Sequence, residues 1–236
     1  MPNQAKISQL RDQCLLLSTM ELKNPISALT NELRSTLSLH ESGQVTHQGI
    51  QLRLEKAEQQ CQHINKLLSE LIDLSRNEAI APMVVDINEV NLCNVAADVM
   101  ERYIDPALEH GCRIFLNCPE PVVGKWDETR IDQMISHLIS NAIKFAPGSD
   151  IEVAITEIGP TAFIKVKDNG PGIPFSKQNI IFNRFTKLDE PSKGFGNGLW
   201  LVKEIAETFK GRVHLASLCG EGSIFTVELP ISTKFH

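Results

Sequence analysis

The stretch VKDNGPGIP, Val166 to Pro174, decides the fold. An apolar strand pattern runs into Asp168 and then breaks at Gly170 and Gly172. A carboxylate fixed at a strand end accepts a hydrogen bond from an exocyclic amine, and glycines let the backbone pass close to a flat ligand. The same letters also read as a D-N-G turn that ends a strand and does nothing more. Their neighbours have to choose between the two.

Upstream, apolar alternation predicts strands at Ile151 to Glu157 and Ala162 to Asp168, paired as a hairpin around Gly159 and Pro160. Before them a helix is expected from Glu128 to Phe145, and in it Asn141 and Lys144 stand three apart on one face. An amide oxygen beside a lysine suits Mg2+ shared with phosphate oxygens, although such a pair also fits a solvated helix face. Earlier still come a helix near Val90 to His110 and a strand at Arg113 to Asn117. Downstream, GFGNGLWLVKEI, Gly194 to Ile205, places three glycines at alternate positions before an amphipathic helix from about Leu199 to Thr208. Unsatisfied N–H groups and the positive dipole end make such an entry an anion site, with a flexible loop as the plainer reading. Its spacing is neither a Rossmann nor a Walker signature. Strands at Arg212 to Ser217 and Ser223 to Leu229 complete an α/β sandwich with mostly antiparallel strands and helices on one face.

The first third reads differently. From about Ile7 to Leu39 apolar residues recur at helical spacing, with Leu22, Ile26, Leu29, Leu33 and Leu37 on one side. HESGQVTH, His40 to His47, predicts a short reversal, after which Ile50, Leu54, Ala57, Cys61, Ile64, Leu68 and Leu71 alternate steps of four and three. Two helices of about 45 Å have too little core alone, so a homodimer pairing two hairpins into a four-helix bundle is expected. A lone hairpin resting on the downstream domain is the alternative. The change of character at Asn77 to Asn91 sets a boundary near residues 76 to 82, dividing residues 1–78 from residues 79–236. Inside the first helix STMELKNP, Ser18 to Pro25, combines Glu21, Lys23 and Asn24 with a proline, for which a kink is expected.

Composition excludes several classes. A net charge of −6, with the cationic residues scattered, argues against nucleic acid as a partner. The six cysteines show no C-x-x-C pair and no secreted framework, and are expected to be reduced, mostly core thiols of a cytoplasmic protein. No apolar run approaches the roughly 18 residues of a membrane span, so a soluble chain without membrane contact is expected, its parent being membrane-anchored only through segments outside it.

Taken with IFNRF (Ile181 to Phe185) and GEGSIFTVELP (Gly220 to Pro230), these motifs in this order resemble the catalytic ATP-binding domain of sensor histidine kinases of two-component systems. STMELKNP likewise resembles their phosphoacceptor box, S-x-H-E-L-[KR]-[TN]-P. The resemblance implies an α+β protein, a dimeric helical hairpin followed by a Bergerat-type ATP-binding sandwich, with ATP and Mg2+ as cofactors and the receiver domain of a response regulator as partner. Carried over by position, Asp168 would read the adenine amino group, Gly170 and Gly172 would wall the base pocket, and Asn141 would hold Mg2+. Lys144 would touch phosphate, and Gly194, Gly196, Gly198 and Leu199 would form the phosphate-facing end of a lid supported by Phe182, Arg184 and Phe185. His137 stands where the family commonly has a second asparagine, and Asn197 where it has leucine. A larger departure is Met20, which occupies the position of the acceptor histidine. A thioether has no N–H and its phosphorylated sulfur would be an unstable cation, so autophosphorylation there is not expected. Glu21 and Asn24 remain, the pair that in the family supports dephosphorylation of the regulator. The function implied is thus a sensor-kinase core unable to phosphorylate itself; the alternatives are a pseudokinase binding module and a regulator phosphatase using Glu21 and Asn24.

Overall fold

A computed structural model of the chain describes residues 22–39, 46–77, 83–186 and 196–232. The chain divides into two compact units, a helical one ending at Pro82 and an α/β one beginning at Met83.

In the helical unit, residues 22–39 form helix α1 and His47–Asn77 form α2. Helix continues on both sides of the buried Pro25. Thr46 caps α2, its Oγ1 accepting the Gly49 N–H at 3.2 Å. Arg53 ties the two helices together by donating to Glu32 Oε1 at 3.3 Å and Ser35 Oγ at 3.0 Å. Ala57 is buried, while Ile26, Leu33 and Leu37 on α1 and Leu54 and Leu68 on α2 stay exposed. One hairpin thus leaves much of its heptad face in water. Most of the expected reversal at residues 40–47, and all of the helix expected before residue 22, lie outside the described residues.

The α/β unit runs β1 (Asn88–Asn91), α3 (Leu92–Glu109), β2 (Arg113–Asn117), β3 (Val123–Trp126), α4 (Glu128–Phe145), β4 (Asp150–Ile158), β5 (Thr161–Asp168), α5 (Phe175–Gln178), α6 (Gly198–Thr208), β6 (Arg212–Leu218) and β7 (Gly222–Pro230). Five strands make one sheet in the order β2-β4-β5-β7-β6, and β1 pairs separately with β3. Only β2 and β4 are parallel; the other neighbours in the large sheet are antiparallel. Register places Val153 opposite Val166 and Val166 opposite Phe225, so the buried residues of three strands share one face. Helix α4 covers that face with Ile131, Met134, Ile135, Leu138 and Ile139, all essentially inaccessible. The family-like sandwich follows from two periods, two along the strands and 3.6 along the helices.

Three short elements were not expected, namely β1, β3 and α5. Val90 belongs to β1, opposite Gly124, and α3 starts two residues later because Asn91 Oδ1 accepts the Cys93 N–H at 3.0 Å. Gly124 is needed there, since the Trp126 indole fills the place of a Cβ.

The cysteine expectation is corrected. Cys93 and Cys118 form a disulfide with Cα atoms 6.0 Å apart, Cys61 and Cys219 are exposed thiols, and Cys112 alone of the described free thiols is buried. The pairing is topological. The chain climbs about 24 Å of α3 beyond Cys93, turns at Gly111, and returns about 20 Å along β2 to Cys118. Among the described residues no helix is long and apolar enough to cross a membrane.

Candidate functional site

Helix α4 is the spine of the site. Its entry is held by Asp127, whose Oδ1 accepts the Arg130 N–H at 3.1 Å and whose Oδ2 accepts the Asp86 N–H at 2.9 Å. With the apolar face turned to the sheet, His137, Asn141 and Lys144 fall on the other side at steps of four and three. His137 and Asn141 are half-buried. Lys144 is exposed, its Nζ 4.8 Å from the centre of the Phe145 ring.

Near the C-terminal end of α4 lies Asp168, the last residue of β5 and only 8% exposed. Its Oδ1 accepts the Gly170 N–H at 2.9 Å, and the backbone N–H of Ser223 also serves the carboxylate. Burial raises its pKa above the ordinary aspartate value, and these two backbone donors lower it in part. Gly170 is packed so closely that a Cβ would stand 2.7 Å from Ala146 Cβ and 3.1 Å from the Phe145 carbonyl oxygen. Gly172 has φ +69°, and a Cβ there would collide with the Leu218 carbonyl.

A second cluster forms about 10 Å back along α4, at 1.5 Å per residue. The Cβ position of Gly198 is 3.2 Å from His137 Nδ1 and 3.9 Å from Asn141 Nδ2, so the first turn of α6 rests on these two side chains. The Arg184 guanidinium lies 3.9 Å over the ring of Trp200 in the same turn. Phe182 meets Phe225 edge to face, ring centroids 6.4 Å apart, anchoring this segment to the sheet. Gly196 has φ +71° and Leu199 is half-buried at the helix start.

Thus Asp168, Gly170 and Gly172 gather at the C-terminal end of α4, and His137, Asn141, Arg184, Gly198 and Leu199 around its middle. Lys144 lies between, on the exposed face. Asn24 is exposed on α1, whereas Met20, Glu21 and Gly194 lie outside the described residues.

One group was missed in the sequence. Ser217 Oγ accepts the Ile173 N–H at 2.8 Å, donates to the Gly222 carbonyl at 2.9 Å and lies 3.0 Å from Ser223 Oγ. Gln178 Nε2 donates to the carbonyls of Ile173 and Ser217 at 2.8 and 3.0 Å. Together they fasten the glycine loop to the β6–β7 hairpin. The available signal was Ser223, a hydroxyl in the inward register of an otherwise apolar strand.

Residues 126–233 match the family described as histidine kinase-, DNA gyrase B- and HSP90-like ATPases. The chain is 30% identical over 231 residues to the adaptive-response sensory kinase SasA of Crocosphaera subtropica, covering 94% of this chain and 60% of that protein. It is 28% identical over 238 residues to the sensor protein SrrB of Staphylococcus aureus, covering 98% of this chain and 40% of that protein. The chain therefore spans about half the length of such relatives. In fold it resembles full-length ShkA crystallised with AMPPNP, with a TM-score of 0.68 at 23% identity, over 95% of this chain and 47% of that one. Motif order, the sandwich around α4 and these matches together make the chain similar to sensor histidine kinases, with residues 126–233 matching the ATPase family.

Proposed function

We propose that the chain is the ATP-binding and dimerising core of a two-component sensor kinase which, with Met20 at the acceptor position, does not phosphorylate itself. The observation that supports nucleotide binding best is Asp168. It is a buried carboxylate with two backbone donors and acceptor capacity to spare, beside a glycine that has no room for a side chain. In this reading Asp168 accepts a hydrogen bond from the adenine amino group, and Gly170 and Gly172 give the base its walls. The phosphates then lie toward the first turn of α6, whose free N–H groups and dipole favour anions. Lys144 and Arg184 supply positive charge at that end.

The donor set fits Mg2+. Among the described residues no group of three His, Cys, Asp or Glu side chains could hold a metal unaided. Magnesium suits such a place because it takes one or two protein ligands and completes its shell with water and phosphate oxygens. Asn141 would be the oxygen ligand, with His137 beside it at the phosphates. When bound, the ion would neutralise phosphate charge and hold the tail in one geometry.

The exposed heptad leucines support dimerisation of the hairpin, and the box at Ser18 to Pro25 would meet the receiver domain of a response regulator. A pseudokinase that binds without turnover is the alternative should no phosphoryl transfer be detected. The exposure of Asn24 on α1 favours a further reading, a phosphatase, in which the Asn24 amide orients water toward the regulator's phosphoaspartate. The P–O bond to aspartate would break, releasing inorganic phosphate and the free carboxylate. Calorimetric titration with Mg-ATP tests the core proposal. Saturable binding lost in Asp168→Asn is expected, and a wild-type chain with no heat of ATP binding would refute it. Phosphate release from a phosphorylated regulator, abolished by Asn24→Ala, would identify the phosphatase.

A further inference from the structure

Asn197 is the N-cap residue of α6, yet its side chain makes no capping hydrogen bond to that helix. Its Oδ1 instead accepts the backbone N–H of Phe185 at 3.0 Å. Phe185 has φ 60°, a conformation that bulky residues rarely adopt, and this bond holds it there. The other half of the amide is unaccounted for. Asn197 is 5% exposed, and its Nδ2 has no hydrogen-bond partner among the described residues. Buried donors left unpaired are costly, and where one persists a missing ligand is a standing explanation. The place where it persists is the start of an eleven-residue helix whose first-turn N–H groups its own cap does not claim. His137 Nδ1 lies against Gly198 in that turn, and the Arg184 guanidinium stacks on Trp200 two residues further on. These groups are all able to donate, and none carries a negative charge.

We propose that Asn197 is a phosphate ligand, its Oδ1 remaining on Phe185 while its Nδ2 donates a hydrogen bond to an oxygen of the nucleotide's phosphate tail. A leucine at this position could do neither. The bond to Phe185 fixes the amide plane, so the spare N–H2 is oriented before the ligand arrives. The inference rests on reading the α/β unit as the ATP site, and it goes beyond that reading by giving this position a ligand of its own.

The test compares Mg-ATP with adenosine on the full chain, the first by calorimetry and the second by ligand-observed NMR. Asn197→Asp keeps an acceptor for Phe185 and replaces the donor by a second oxygen. Its ATP affinity should fall by roughly 30-fold or more, as expected for losing a hydrogen bond to a charged group, while adenosine binding is unchanged. Should that variant not fold, Asn197→Ala is expected to lose roughly 10-fold toward ATP with adenosine again unchanged. Unaltered ATP affinity in the folded variant, or equal loss for ATP and adenosine, would overturn the proposal while leaving the ATP site intact. A wild-type chain that binds neither compound would overturn the site itself.

Discussion

Asp168 combines two demands that pull apart. Burial disfavours its charged form and raises its pKa, whereas the adenine-binding role proposed for it is served best by the charged acceptor. A carboxyl with a raised folded-state pKa holds its proton more tightly in the native state than when unfolded. Its contribution to stability is therefore fully present below the unfolded value, about 3.9, and is lost as pH rises through the raised folded value. The ligand-free Asp168→Asn protein should consequently be at least as stable as the wild type at pH 7, with the difference disappearing below about pH 4, as read by urea denaturation across that range. A large loss of stability at pH 7 would mean that the carboxylate is structural. Gly172 poses the converse case. Its positive φ and the Leu218 carbonyl leave no place for a Cβ, so Gly172→Ala should destabilise the α/β unit by more than about 2 kcal/mol in the same measurement.

The glycine loop after β5 is held by its neighbours rather than by itself. Ser217→Ala would leave the buried-side Ile173 N–H without its acceptor, costing about 1–3 kcal/mol and weakening ATP binding with little change elsewhere in the sheet. Amide hydrogen exchange should show faster exchange at Ile173 and unchanged exchange at Val166. Ser217 also marks where sequence reading ran out. Long elements such as α4 and the β4–β5 hairpin were legible because their apolar periods are strong and their ends bear clear caps or turns. Strands β1 and β3 were not, being four residues each and stabilised by one another across a separation no local pattern records. Asp168, Gly170 and Asn141 could be singled out through motif order, but their gathering along α4 could not. The Ser217–Ser223–Gln178 network and the Cys93–Cys118 pair arise from tertiary proximity alone.

In the proposed function the two units divide the work. The hairpin presents Leu33, Leu37, Leu54 and Leu68 to water, an arrangement a second copy would cover. Leu54→Lys should therefore shift sedimentation equilibrium from dimer toward monomer while leaving Mg-ATP affinity within about twofold, since the α/β unit has its own core. A dimer indifferent to this change would move the interface elsewhere. The residues proposed as the nucleotide site depart from the family pattern at His137 and Asn197 and the box at Met20, and in the proposed function Met20 decides the chemistry. The most direct measurement is incubation with γ-labelled Mg-ATP of the wild-type chain and of Met20→His, followed by acid and alkali treatment of the labelled protein. The account predicts no label on the wild type and acid-labile, alkali-stable label on Met20→His. Label of that kind on the wild-type chain would contradict it.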